Sequence, residues 1–164
     1  KKLAATPCRY PVLKRAFLFS CLTGLRKSDI QKLTWGEVQK FGKYTRIVFK
    51  QRKTKGQEYL DISSQAEKYL GERGNPDDIV FTGFTYGSWT SLELQRWSLA
   101  AGVNKNLTFH CARHTFAVLM LDLGADIYTV SKLLGHRFLT TTQIYAKVLD
   151  KNKQNAVSLI PDIG

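Results

Sequence analysis

The stretch TFHCARHTFA, residues Thr108 to Ala117, puts two imidazoles and a guanidinium, His110, Arg113 and His114, at the start of an apolar run. Groups of this kind are costly to bury unless a partner of opposite charge offsets the loss of water. On a helix, His110 and Arg113 stand three residues apart on one side of the first turn. Phe109, Phe116 and Leu119 are then expected to point the other way, into a core. A helix N-terminus offers free N–H groups and a positive dipole end, so a phosphate is the natural ligand for such a pair. Other polar residues also stand at the ends of elements, where rigid scaffolds present functional groups. Arg26 follows the turn Thr23-Gly24-Leu25, Lys53 and Lys55 sit in the basic segment QRKTKGQ, His136 follows Gly135, and Tyr145 lies nine residues further on. Taken singly, each has an ordinary reading: a surface charge, a solvated turn, a cation beside helix C-terminal carbonyls, or a packed tyrosine.

Charge decides which class of partner these groups face. Twenty-five Lys and Arg against 13 Asp and Glu leave a net charge of +12 on 164 residues. An excess of that size points to a polyanion, because neutralised phosphates release counterions. The length suits one domain with one core. No apolar run approaches the roughly 18 residues of a membrane span, and the N-terminal KKLAATPCRYPVLK lacks the apolar stretch of a signal peptide. Cys8, Cys21 and Cys111 are odd in number and widely spaced, which argues against a disulfide framework or zinc site and fits a reducing cytoplasm. The acidic residues form no evident carboxylate cluster beyond Asp77 and Asp78, which are expected to cap or solvate a loop.

The elements that must position these groups read as mainly helical with a small antiparallel sheet. PVLKRAFLFSC, from Pro11 to Cys21, has the spacing of a half-buried helix ended by Gly24. Ser28 with Gln31 suggests a capping box that opens a short helix SDIQKLTW. YTRIVFK (44 to 50) and EYLDI (58 to 62) read as a hairpin with a basic tip, and a short helix follows Ser63 and Ser64. After the loop ERGNPDD, helices are expected from Ser91 to Gly102, from about Thr108 onward, and from an Asp126 cap to Gly135. A fourth is expected to start around Thr140 to Thr142 and hold Tyr145, with a last amphipathic piece DKNKQNAVSLI. Trp35, Trp89 and Trp97 are expected in the core or at its rim.

In order along the chain, TGLRKSDIQKLTW, HCARHTFA, LLGH and TTTQIYAKV resemble the signature boxes of the tyrosine recombinase (phage integrase) family. The basic hairpin falls where that family keeps a lysine. The resemblance extends from about Leu13 to Leu149, and its ordered pattern of HxxRH, LGH and a tyrosine nine residues later is long enough to be specific. It implies that family's mainly α catalytic domain (α+β). The whole of 1–164 would be that domain, cut from a longer chain whose N-terminal DNA-binding domain is absent, with 150–164 a tail that docks on a neighbouring protomer or, in the alternative, folds back on its own domain.

Carried onto this sequence, the resemblance makes Arg26 the first family arginine, His110 and Arg113 the HxxR pair, His136 the LGH histidine and Tyr145 the nucleophile. Lys53 is preferred over Lys55 as the lysine because it precedes Thr54, and His114 is read as structural. Arg26, Lys53, Lys55 and Arg113 would contact DNA. The implied reaction cleaves and rejoins DNA through a covalent 3′-phosphotyrosyl intermediate without metal or other cofactor. The two arginines would hold the charge that builds on the phosphate oxygens. A tyrosine hydroxyl with a pKa of about 10 needs a base, for which His110 is the candidate, and Lys53 would protonate the leaving 5′ oxygen. The implied partners are double-stranded DNA at specific recombination sites and further copies of the chain in a tetrameric synapse, with a monomer off DNA, in a prokaryotic cytoplasm. Two other readings remain: a type IB topoisomerase, against which the HxxR and LGH boxes weigh, and a DNA-binding module without catalysis, against which both arginines and Tyr145 weigh.

Overall fold

The computed structural model describes residues 1–50, 57–135 and 139–162. Among them the elements are α1 (Lys2–Ala5), α2 (Pro11–Thr23), α3 (Lys27–Lys32), β1 (Val38–Phe41), β2 (Tyr44–Lys50), β3 (Gln57–Ile62), α4 (Ser64–Glu67), α5 (Ser88–Ala100), α6 (His110–Asp122), α7 (Ile127–Leu133) and α8 (Ala146–Ser158). The fold is mainly helical with one small sheet of order β1-β2-β3, antiparallel throughout. Val38, Ile47 and Leu60 form one rung across all three strands and point into the core. On the outer face the Arg46 guanidinium lies 3.8 Å from the ring centres of both Phe41 and Tyr59 and bonds Asp61 at 2.7 Å and 3.1 Å. That alternation is what a sheet with one wet face requires.

Helix α2 is the centre of the core. Leu13, Ala16, Phe17 and Phe19 are buried along it, and Phe17 meets Trp97 of α5 and Phe109 edge to face at 5.9 Å and 5.6 Å. Alongside it, α6 buries Ala112, Arg113, Phe116, Ala117 and Leu121. A second cluster, Phe116, Ala117, Leu121, Val130 and Leu134, joins α6 to α7 and receives Tyr145 at its edge. Trp35 and Trp97 are core residues, whereas Trp89 is exposed and packs on Tyr10.

Several local expectations are corrected. Helix α3 starts at Lys27 with Arg26, not Ser28, at the N-cap, and it stops at Lys32. Extended backbone at Leu33 lets Trp35 and Gly36 donate N–H bonds to the Asp78 and Pro76 carbonyls. The capping box in this region is instead Thr34 with Glu37, which opens a single 3-10 turn. Strand β1, absent from the sequence reading, pairs with β2 through a two-residue turn in which Gly42 takes positive φ. Helix α5 begins at Ser88, three residues before Ser91, because Thr90 accepts the Gly87 N–H at 2.6 Å. Leu119 is largely exposed: the buried stripe of α6 runs through 113, 117 and 121, and position 119 falls outside it. Asp126 caps α7 as expected, accepting from Thr129 N at 2.9 Å, and Asp78 accepts from Asn75 N in its loop.

The largest correction concerns the surroundings of Tyr145. Residues Leu139–Thr141 and Gln143–Tyr145 form two successive 3-10 turns, and α8 starts only at Ala146. Three adjacent threonines there include two consecutive β-branched neighbours of Thr142, which is fully buried, and such residues are stiff and poor helix starters. Tyr145 is therefore the N-cap of α8 and not a residue on its face. The two C-terminal pieces read from the sequence are one helix, packed along α6. No helix among the described residues is long and apolar enough to cross a membrane.

Candidate active site

The turn that carries Arg26 is built from inside. Gly24 ends α2 at φ +73°, its N–H donating to the Ser20 carbonyl at 2.8 Å. Buried Ser20 donates its hydroxyl to the Leu25 carbonyl at 2.7 Å, and buried Thr23 accepts the Leu25 N–H. With Leu25 thus pulled inward, Arg26 is left exposed at the N-terminus of α3. A side chain at 24 would be strained in this conformation and would meet the Phe116 ring at 2.7 Å, so glycine is required there.

Opposite this turn stands the first turn of α6. A pocket of about 340 Å³ opens between them, lined by Arg26, Lys27, Ser28, Tyr86, His110 and Arg113 among others. Lys27 lies 4.6 Å over the Tyr86 ring, and the Tyr86 hydroxyl accepts the N–H of Phe109, the N-cap of α6. Three cations and the N-terminus of a thirteen-residue helix share this pocket, an arrangement suited to a phosphate.

Arg113 is the one of these cations that is buried, at 7% exposure. Its guanidinium donates one bond to the Gly24 carbonyl and another, at 2.9 Å, to the Leu134 carbonyl at the end of α7. It therefore ties together the turn before Arg26, helix α6 and the C-terminus of α7. Burial, and secondarily the nearby Arg26, pull its pKa below the usual arginine value. Burial also lowers the His110 imidazole, followed by the charges of His114, Arg113 and Arg26, so the neutral ring is favoured.

Tyr145 is half-buried, and its hydroxyl is hydrogen-bonded to Nδ1 of His114. The two rings lie 5.6 Å apart at 64°, and the His114 ring meets His110 edge to face at 4.5 Å. Burial raises the Tyr145 hydroxyl above its ordinary pKa, partly offset by Arg113. Spatially, then, the chain Arg26, Arg113, His110, His114, Tyr145 is continuous.

Residues 2–152 match the Phage integrase family. The chain belongs to the phage integrase family. This integrase-family chain is 33% identical over 140 residues to tyrosine recombinase XerD of Oceanobacillus iheyensis, covering 77% of the chain and 46% of that protein. It is 34% identical over 134 residues to tyrosine recombinase XerC of Actinobacillus pleuropneumoniae, covering 75% of the chain and 43% of that protein. It thus spans under half the length of these relatives. The catalytic domain of bacteriophage HP1 integrase superposes with a TM-score of 0.66 at 25% identity, covering 98% of this chain and 90% of that one. XerH recombinase bound to a palindromic difH substrate in a post-cleavage complex shares the fold, with a TM-score of 0.69 at 19% identity over 96% of this chain and 49% of that one.

Of the residues singled out from the integrase sequence, Arg26, His110 and Arg113 line one pocket, and Tyr145 joins them through His114. Lys53, Lys55 and His136 lie outside the described residues. Sequence reasoning set His114 aside as structural, yet its ring, and not that of His110, touches the Tyr145 hydroxyl. The signal available was its spacing of four from His110, which places both on one helix face. Lys27 and Tyr86 were also missed; neither stands in a pattern that marks it without the fold.

Proposed function

We propose that this chain is the catalytic part of a site-specific DNA recombinase that cleaves and rejoins strands through a 3′-phosphotyrosyl intermediate. The observation that carries the reading is the shared basic pocket of Arg26, Arg113 and His110, with the Tyr145 hydroxyl held one helical turn away. The scissile phosphate occupies that pocket. Arg26 and the donor groups of Arg113 not used on Gly24 and Leu134 stabilise the charge that grows on its non-bridging oxygens. His110 donates its N–H to the same oxygens. The Tyr145 oxygen bonds to phosphorus as the bond to the 5′ oxygen breaks, and the leaving oxygen takes a proton from the basic segment, Lys53 being preferred over Lys55. His136 completes the phosphate-binding set. The phosphodiester energy is kept in the tyrosyl ester, so a new 5′ hydroxyl reverses the step without ATP.

Double-stranded DNA is the partner, which the +12 charge and the difH-bound XerH relative both support. The chain is a monomer off DNA, in the cytoplasm, and assembles as a tetramer on paired sites. Val157, Leu159 and Ile160 at the end of α8 are 66%, 82% and 70% exposed, and this tail docks on a neighbouring protomer. The test is strand exchange between two differently labelled duplexes that the chain itself selects from a randomised pool. Recombinant duplexes are the expected product. Relaxation of a supercoiled plasmid without exchanged junctions would instead assign a topoisomerase, and binding without any cleavage a DNA-binding module.

A further inference from the structure

We propose that His114 is the general base that takes the proton from Tyr145. The inference rests on the phosphotyrosyl chemistry proposed above and assigns one step of it. Nδ1 of His114 is hydrogen-bonded to the reacting oxygen itself, and direct reach of the proton is the first requirement of a base. His110 instead lines the phosphate pocket and meets the His114 ring edge to face. The two imidazoles thus divide the work, one facing the phosphate oxygens and the other the nucleophile.

The Tyr145 hydroxyl donates to Nδ1 of a neutral His114, its O–H bond breaks, and the proton passes to that nitrogen. The oxygen's electron pair forms the bond to phosphorus while the bond to the 5′ oxygen breaks, and that oxygen is protonated by the lysine of the basic segment. His114 is left as imidazolium and returns the proton to Tyr145 when the strand is rejoined. Among the described residues, His110 on α6 and Tyr145 before α8 are ionisable groups whose rings meet it, and Arg113, its neighbour in sequence, is itself flanked by Arg26 and Asp29. The burial that raises the tyrosine's pKa makes a base more necessary.

The experiment follows adduct formation by the full chain on a nicked duplex selected from a randomised pool, at pH values from 6.5 to 9. His114→Ala and His114→Asn are compared with wild type; the asparagine amide replaces the hydrogen bond at Nδ1 but accepts no proton. Both variants are expected to fall about 100-fold at pH 6.5, within the range for general-base loss. The deficit should shrink to under about tenfold at pH 9 as hydroxide takes over the proton. DNA binding should be unchanged. A deficit that is equal at every pH, full activity of His114→Asn, or full activity of His114→Ala would each overturn the assignment. If Tyr145→Phe still forms the adduct, or wild type forms none, the phosphotyrosyl reading fails instead.

Discussion

Arg26 and Arg113 serve one phosphate in the proposed reaction, yet their surroundings predict unequal effects on stability. Arg113 donates to the Gly24 and Leu134 carbonyls from a buried position, while Arg26 is exposed at the head of a helix. A hydrogen bond from a charged donor contributes roughly 1.5–3 kcal/mol, and an orphaned buried carbonyl costs about 1–3 kcal/mol. Relief of repulsion between the two guanidinium groups offsets part of this, so the lower figure is the safer one. Arg113→Ala should then cost about 3 kcal/mol, or roughly 6–12 °C in Tm for a domain of this size. Arg26→Ala, an exposed change, should stay within about 0.5 kcal/mol. Both should lower cleavage by about two to three orders of magnitude, the scale for one transition-state donor. Thermal unfolding followed by circular dichroism, beside single-turnover cleavage well below either Tm, separates the two effects. If Arg113→Ala melted within about 2 °C of wild type, the view of Arg113 as the tie between α2, α6 and α7 would be refuted.

Three further outcomes are expected. Because the folded state depresses the His110 pKa, the unfolded chain binds its proton more readily. The His110 contribution is thus complete above the ordinary histidine value and is lost as the pH falls through the lowered one. The Tm of wild type should drop more between pH 7.5 and 5.5 than that of His110→Gln, and parallel curves would contradict this. If Lys53 is the general acid, a 5′-bridging phosphorothiolate, whose sulfur leaves without a proton, should restore cleavage to Lys53→Ala but give Lys55→Ala no comparable gain; the reverse result moves the role to Lys55. Replacing exposed Leu159 and Ile160 by serine should leave the monomer's Tm unchanged and reduce crosslinked multimers on paired sites, and unchanged multimers would remove the tail from assembly.

Arg26, His110, Arg113 and Tyr145 were legible as one candidate set because they stand in a fixed order near the ends of elements, and the pairing of β2 with β3 followed from two β-prone segments joined by a short basic stretch. Asp126 and Gly135 punctuate α7 by local chemistry alone. What escaped depended on contacts between distant segments. Leu33 takes extended backbone because Trp35 and Gly36 bond to the loop at Pro76 to Asp78, 40 residues on, and no local propensity encodes that. Strand β1 buries only Val38 and so shows little alternation. Leu119 was assigned inward from apolarity, but the face of α6 that is buried is set by Arg113, a polar residue whose burial is intelligible only once two helix ends converge on it. His114 went unused for a related reason: the 3-10 turns before α8 bring Tyr145 back to α6, and sequence spacing alone does not reveal that return.

In the proposed reaction Tyr145 becomes covalently joined to DNA. Incubation of the 1–164 chain with nicked duplexes from a randomised pool, followed by protease and nuclease digestion and mass spectrometry, tests this bond. The peptide containing Gln143-Ile144-Tyr145 is expected to carry a 3′-linked nucleotide on the tyrosine, and Tyr145→Phe to abolish the adduct while retaining DNA binding. A nucleotide linked to any other residue, or an adduct that persists in Tyr145→Phe, would contradict it.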